Sequence, residues 1–264
     1  MSETRPKFGT REWAEVNANI YLGCEHNCRY CYARNNALKR FKKIKSEDEW
    51  KNPVLQERSF KEKPKLYKNK RIMFPTQHDI TPDNVFNCIV YLTGWLEKGN
   101  NVLIVSKPHM NVVKELCDNL TKYRNQIVFR FTIGSLNNDV LKFWEPDAPD
   151  YEERKSALIY AFDHGYVTSV SCEPILDEDI ELMVYELLPF ITDTIWLGKM
   201  NFIKQRVDTK DWKKEDFDYM KKVESVIKDE FIRDLYDDFK DNPKVKWKES
   251  IKQVLGLPDE EGVA

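Results

Sequence analysis

The chain has 264 residues, of which 41% are apolar and 33% are charged, and its formal net charge is −2. This apolar content is too high for a disordered polymer and is sufficient to bury an ordinary core, so we expect a globular protein. No run of about 18 apolar residues occurs, and the first residues lack the basic-then-apolar layout of a signal peptide. We therefore expect neither a membrane span nor export, and we predict a cytoplasmic protein.

From residue 14 onward, short β-prone segments alternate with longer helical ones. The predicted strands lie within 14–23, 70–81, 101–107, 127–135, 166–174 and 193–201, and the second of these segments runs from a strand into a loop. Each strand is followed by a segment in which apolar residues recur at helical spacing, either directly or after a loop. Consecutive crossovers of this kind force the strands to be parallel, so the sequence predicts an α/β protein built on a partial (β/α)6 barrel of the TIM type.

Two regions depart from the alternation. Residues 206–264 are charged and helical in pattern without a strand signal, which predicts a C-terminal helical extension packed on a barrel domain of residues 1–205. Residues 46–69 have two prolines, many lysines and little periodicity, and they predict a long insertion between the first helix and the second strand.

Charge is concentrated in one part of the chain. The interval from Arg34 to Arg71 contains 14 basic and 5 acidic residues, a local excess of +9 that the near-zero total conceals. Such a patch suits contacts with the phosphates of DNA or RNA, although a solvated, lysine-rich surface is the commoner explanation for it.

Three of the six cysteines, Cys24, Cys28 and Cys31, form the pattern C-x3-C-x2-C directly after the first predicted strand. Three thiolates at this spacing can hold three irons of a 4Fe-4S cluster and leave the fourth iron open to a cofactor or substrate. The alternative is a zinc site in which His26 completes a Cys3His set. The cysteines at 88, 117 and 172 lie in apolar segments and are predicted to be core residues.

The segment CEHNCRYC (24–31) resembles the cluster loop of the radical S-adenosylmethionine (SAM) superfamily in spacing and in position. Four later segments extend the resemblance to the spore photoproduct lyase branch of that superfamily, over roughly residues 13–201. These segments are PTQHDIT, LIVSKPHM, FRFTIGS and FWEPDAPDYEERKSALIYAFDHGY. The resemblance implies that the three cysteines of the loop bind a 4Fe-4S cluster.

The same resemblance implies roles for individual residues. Tyr30 is expected to touch the adenine of SAM, Lys107 to pair with its carboxylate and Thr132 to lie near its ribose. A lysine that closes an apolar strand supports this independently, because a buried ammonium group needs an anionic partner. Strand alternation adds Ser171 and Glu173, which share one face of the fifth strand and are expected to face the barrel lumen as cofactor-binding candidates.

The resemblance implies an enzyme that reductively cleaves SAM to methionine and a 5'-deoxyadenosyl radical, which then abstracts hydrogen from a substrate. It also implies an electron donor such as a flavodoxin or ferredoxin, and it favours DNA, RNA or a nucleotide as substrate. Spore photoproduct lyase returns hydrogen from a cysteine after the second strand, and the matching stretch FPTQHDI contains none. The alternatives are a radical SAM enzyme acting on a peptide or small metabolite, and a non-catalytic zinc protein that binds nucleic acid.

Overall fold

The computed structural model of the chain describes residues 9–258. Within this range the strands are β1 (Val16–Asn17), β2 (Tyr21–Leu22), β3 (Val54–Leu55), β4 (Arg71–Phe74), β5 (Asn101–Ser106), β6 (Ile127–Thr132), β7 (Val167–Cys172), β8 (Ile195–Leu197) and β9 (Val245–Trp247). The α-helices are α1 (Tyr32–Asn35), α2 (Glu47–Lys51), α3 (Glu57–Leu66), α4 (Val85–Leu96), α5 (Met110–Leu120), α6 (Asn138–Trp144), α7 (Tyr151–Asp163), α8 (Ile180–Leu187), α9 (Ile203–Arg206), α10 (Asp216–Val226), α11 (Asp229–Phe239) and α12 (Glu249–Leu255). Short 3₁₀ helices span Gly9–Glu12, Thr121–Gln126 and Leu188–Phe190, and a π-helical turn spans Asn36–Arg40.

Seven strands form one parallel sheet in the order β1, β4, β5, β6, β7, β8, β9. Between residues 9 and 258 the two outer strands, β1 and β9, do not pair with each other, so the barrel stays open. This confirms the predicted α/β fold and its partial barrel. Because every pair is parallel, the carboxyl ends of the strands meet at one edge, where barrel enzymes place their sites.

The last strand of this sheet was not predicted from the sequence. Val245–Trp247 comes from the C-terminal extension and pairs with β8, with Ile195 opposite Val245 and Leu197 opposite Trp247. A three-residue strand is too short to give a periodic signal. The extension also contains α10, α11 and α12, and the division of the chain into two domains at residue 205 stays a prediction. Residues 1–8 and 259–264 of the two predicted domains lie outside the described range.

The insertion at 46–69 is more regular than its sequence indicates. It contains α2, β3 and α3, and β3 pairs antiparallel with β2 in a separate two-stranded sheet. The first predicted strand is therefore split, because β1 joins the barrel while β2 pairs with the insertion. Trp50 of α2 is 1% exposed and packs with Ala33 and Ala37 beside the cysteine loop.

Side chains on the two faces of the sheet enter different clusters. Those that point outward, such as Phe129, Phe131 and Cys172, pack into the main core together with α4, α5, α7 and α8. Those that point into the barrel form a smaller cluster, which comprises Trp13, Ala14, Met73 and Leu103 with Val105, Val128 and Trp196 against it. None of the helices described for this chain is both long enough and apolar enough to cross a bilayer.

Candidate active site

The cysteine loop begins at a glycine that no other residue can replace without strain. Gly23 has a φ of +107°, and a Cβ atom there would lie 2.6 Å from the carbonyl oxygen of Trp50. That carbonyl accepts the N–H of Cys24 at 2.8 Å. The insertion therefore fixes the backbone of the first cysteine.

The other end of the loop is held by α1. Cys31 is the N-cap residue, and its Sγ accepts the N–H of Arg34 at 3.4 Å. The buried guanidinium of Arg34 donates back to the side chain of Asn27 at 2.9 Å, and Asn27 has a φ of +51°. These contacts tie the third cysteine and the middle of the loop to Arg34 of α1.

A cavity of about 890 Å³ opens at the carboxyl edge of the parallel sheet. Its walls include all the residues that the sequence predicts for the cluster and the cofactor: Cys24, Cys28, Cys31, Tyr30, Lys107, Thr132, Ser171 and Glu173. The structure thus brings together, in one cavity, side chains from the cysteine loop and from the ends of three neighbouring strands, β5, β6 and β7.

Strand alternation places these residues correctly relative to the lumen. Thr132 and Ser171 are partners in the register of β6 and β7, and both line the cavity. Arg130 shares the face of Thr132 but lies below the cavity. Its guanidinium donates to Ser169 at 2.9 Å and to Asp193 at 3.1 Å. Burial lowers the pKa of Arg130 to about 10, and the residue belongs to the floor of the barrel.

A buried carboxylate that the sequence did not single out lies behind Lys107. Glu145 accepts from the Tyr30 hydroxyl, and its Oε1 is 3.8 Å from the Lys107 ammonium nitrogen. Its Oε2 is 2.6 Å from a guanidinium nitrogen of Arg154, and both of these side chains are fully buried. Burial acts to raise the pKa of Glu145, but Arg154 and Lys107 hold it below the ordinary value. Both residues belong to the resembling segment FWEPDAPDYEERKSALIYAFDHGY, Glu145 as the glutamate before Pro146 and Arg154 as the arginine after Glu153.

A second buried carboxylate, Asp79, joins the cysteine loop to the ends of two strands. It accepts the backbone N–H of Lys107 at 3.1 Å and the Ser106 hydroxyl, and it lies 3.0 Å from His26 Nδ1. Burial acts to raise the pKa of Asp79, but His26, Lys107 and Ser106 together hold it well below the ordinary range. Asp79 comes from the segment PTQHDIT, which the sequence marked only by resemblance.

The position of His26 argues against the zinc alternative. The side chain is 1% exposed, with Nδ1 beside Asp79 and Nε2 2.9 Å from Nε2 of His109. Both ring nitrogens are thus engaged away from the thiols. In residues 9–258, no three His, Cys, Asp or Glu side chains converge on a single metal-ion position, as a zinc site requires. A 4Fe-4S cluster has no such requirement, because each cysteine binds a different iron.

The C-terminal extension supplies one further charged contact. The ammonium of Lys248 lies 2.6 Å from Glu12 and 3.6 Å from Glu173, and 4.1 Å from the ring centroid of Trp13. Burial raises the pKa of Glu173, and Lys248 partly offsets the effect. Sequence reasoning missed Lys248 because only β9 carries it to the barrel.

The other cysteines, Cys88, Cys117 and Cys172, are buried in the main core, as predicted.

Comparison with known proteins gives relatives in sequence and in structure. No protein-family model matches the chain. An uncharacterized protein of the Acidianus two-tailed virus is 28% identical over 201 residues, which cover 69% of this chain and 65% of the relative. An uncharacterized protein of Methanocaldococcus jannaschii is 26% identical over 185 residues, 67% of each chain. The match thus spans slightly less than two thirds of the viral relative.

Solved structures of spore photoproduct lyase superimpose on nearly the whole chain. A cysteine-to-serine variant aligns with a TM-score of 0.58 at 13% identity, covering 94% of this chain and 79% of the other. A double variant with bound AdoMet and dinucleoside spore photoproduct aligns with a TM-score of 0.56 at 15% identity, covering 94% and 80%. The chain has the fold of spore photoproduct lyase. The superposition establishes the fold alone. Because the sequence identity is so low, the reaction has to be argued from the site itself.

Proposed function

We propose that this chain is a radical SAM iron-sulfur enzyme that reductively cleaves SAM, with nucleic acid or a nucleotide as the substrate that loses hydrogen. The observation that supports it best is the shared cavity: the C-x3-C-x2-C cysteines face the same space as the polar strand-end residues. The fold comparison adds support, because a protein of the same fold was solved with bound AdoMet.

The thiols fit a 4Fe-4S cluster. Cys24, Cys28 and Cys31 would each bind one iron and leave the fourth to the amino and carboxylate groups of SAM. A cluster held by these cysteines would, once reduced, supply the electron for cleavage of SAM to methionine and a 5'-deoxyadenosyl radical. The chain contributes an apolar surface to the cavity, since Trp13 lines it and packs edge to face on Trp196 with 5.7 Å between the ring centroids.

Residues at the strand ends would orient SAM. Lys107 would pair with its carboxylate, because its ammonium group has only a 3.8 Å contact with Glu145 and lines the cavity. Tyr30 would contact the adenine, with its ring held by the hydrogen bond to Glu145. Thr132 and Ser171 offer hydroxyl groups to the ribose, and Glu173 offers a carboxylate to the SAM amino group or a ribose hydroxyl.

Anaerobic turnover tests the proposal directly. Reconstituted and reduced protein should convert SAM to 5'-deoxyadenosine and methionine, slowly in the absence of a substrate, as measured by chromatography of the quenched reaction. An electron donor of the flavodoxin or ferredoxin type should replace the chemical reductant. A protein that carries a full cluster and forms no 5'-deoxyadenosine with either donor would refute the proposal.

Replacement of Lys107 by alanine should weaken SAM binding. A charge-assisted hydrogen bond to a carboxylate contributes about 1.5–3 kcal/mol, so the dissociation constant should rise about ten- to a hundredfold. Isothermal titration calorimetry of the cluster-loaded protein with SAM measures this dissociation constant. Lys155→Ala is the matched control, since Lys155 pairs with Glu186 away from the cavity lining. An unchanged dissociation constant in Lys107→Ala would contradict the assignment of Lys107 as the partner of the SAM carboxylate.

The proposed substrate class depends on charge as well as fold. A neighbour of the same fold was solved with dinucleoside spore photoproduct. In this chain Lys39, Arg40, Lys42 and Lys43 are exposed, and Lys43 lines the cavity. Lys39 also donates to the carbonyl of Gln205 in α9, the helix whose last residue, Arg206, lines the cavity. We therefore infer that the four cations hold a phosphate backbone while one nucleotide enters the cavity.

Replacing Lys39, Arg40, Lys42 and Lys43 by glutamine should reduce the salt dependence of binding to single-stranded DNA. Each lost phosphate contact lowers the slope of log K against log salt by about 0.7, so the slope should fall by about 3 if all four make contact. Fluorescence anisotropy at several salt concentrations measures this slope. A variant in which lysine and arginine are exchanged at these positions keeps the charge and should keep the slope. An unchanged slope in the glutamine variant would remove these four residues from the binding surface, and a wild-type protein without salt-dependent binding to any nucleic acid tested would instead favour a peptide or small-metabolite substrate.

A further inference from the structure

An exposed aromatic side chain stands at the mouth of the cavity in an unusual backbone conformation. Phe202 is 67% exposed and has a φ of +56°, a left-handed conformation that is unfavourable for a residue with a bulky side chain. Its carbonyl accepts the N–H groups of Gln205 and Arg206, at 3.0 and 3.1 Å, and so begins α9. The chain thus holds a phenyl ring in solvent at a conformational cost, while the same ring lines the cavity.

A guanidinium group bridges this ring to the cysteine loop. The Cζ atom of Arg206 lies 5.4 Å from the ring centroid of Phe202 and 5.8 Å from that of Tyr32, which follows the third cysteine. The Tyr32 hydroxyl is fixed in turn by the carbonyl of Thr76. The guanidinium therefore lies within contact distance of two aromatic rings, and the three side chains form one wall of the cavity.

The ligand that fits such a wall is planar and attached to negative charge. Lys43, Lys199 and Arg206 line the same cavity as the ring, and the exposed Lys39 donates to the backbone carbonyl of Gln205 in α9. Aromatic and guanidinium planes are the surfaces on which the bases of single-stranded nucleic acid stack, and nearby cations hold the phosphates that link them. A neutral aromatic peptide side chain would make no use of these cations.

We propose that Phe202, backed by Arg206 and Tyr32, is the stacking site for one base of a single-stranded nucleic acid as it enters the cavity. This inference rests on the proposed nucleic-acid substrate and adds the residues that recognise it. The base that stacks here lies at the mouth of the cavity. It therefore belongs to a nucleotide adjacent to the one that reaches the radical, and not to that nucleotide itself.

Binding of a short single-stranded DNA that carries 2-aminopurine tests the site, because stacking lowers the fluorescence of this base. Phe202→Ala should weaken binding about five- to a hundredfold and relieve the quenching, since one stacked base contributes that much to the binding constant. The salt slope should stay as in the wild type, because no phosphate contact is lost. Phe202→Trp should keep both the affinity and the quenching.

Two further variants test whether the loss of affinity in Phe202→Ala comes from the missing ring. Phe202→Asn suits the left-handed backbone and caps a helix well, so it preserves the start of α9 without a ring and should lose affinity as Phe202→Ala does. Phe86→Ala removes a ring that is 74% exposed on α4, outside the cavity lining, and should leave the affinity unchanged. Wild-type affinity in Phe202→Ala, or recovery of affinity in Phe202→Asn, would overturn the inference.

The measurement needs neither SAM nor a reductant. Its result therefore stands even if the protein forms no 5'-deoxyadenosine, and radical formation without stacking at Phe202 would remove this inference alone. If the wild-type protein binds no single-stranded DNA or RNA at low salt, the inference is overturned, and a peptide substrate is favoured instead.

Discussion

Cys28→Ala is expected to abolish cluster binding. Cys28 lies between the other two cysteines of the loop and is buried, so no other thiol is placed to replace it. With two cysteines, a 4Fe-4S cluster loses the third of its protein ligands. After anaerobic reconstitution, the variant should contain neither the iron and sulfide nor the brown absorption near ~400 nm that such a cluster gives.

A cysteine elsewhere in the chain provides the control. Cys117→Ala removes a thiol that is 1% exposed on α5 and should retain a full cluster. Retention of four irons by Cys28→Ala would contradict the assignment. A colourless wild-type protein that holds one zinc ion would restore the alternative in which the thiols bind a single metal ion.

Glu145→Gln is expected to cause the largest loss of stability among the substitutions considered. The amide leaves the fully buried Arg154 without its counter-charge and removes the partner of Lys107. Removing one member of a buried ion pair costs about 3–5 kcal/mol, because the remaining charge is desolvated and unpaired. Urea denaturation followed by circular dichroism measures the free energy of unfolding.

The pH dependence of this loss identifies its cause. The pKa of Glu145 is depressed in the folded chain, so its contribution to stability is present above the ordinary value of 4.5 and is lost as pH falls through the folded value. The difference between wild type and Glu145→Gln should therefore shrink in acid below about pH 4.5.

An exposed ion pair gives the matched control. Glu62→Gln breaks the pair between Glu62 and Arg58 on α3, in which both side chains are more than half exposed, and should leave the free energy of unfolding unchanged. The role of the buried pair would be contradicted if both glutamine variants lost the same free energy of unfolding. It would also be contradicted if the loss in Glu145→Gln persisted at low pH.

Features that depend on short-range pattern were determined by the sequence itself. The alternation of strands and helices predicts the parallel sheet, and period-two alternation predicts that Ser171 and Glu173 share the lumen face of the fifth strand. Both follow because successive side chains of a strand point to opposite faces and crossover connections force parallel strands. The spacing of Cys24, Cys28 and Cys31 likewise defines the loop, since all three lie within eight residues.

Features that depend on contacts between distant segments were decided only by the tertiary structure. Glu145 meets Tyr30 across 115 residues of chain, and Lys248 reaches the carboxylates of Glu12 and Glu173 only because β9 joins the sheet. No local pattern marks such pairs, because the energy that holds a buried charge comes from a partner that the fold brings to it. The exposed ring of Phe202 is of the same kind: its position at the cavity mouth follows from the fold, and its left-handed backbone is invisible in the sequence.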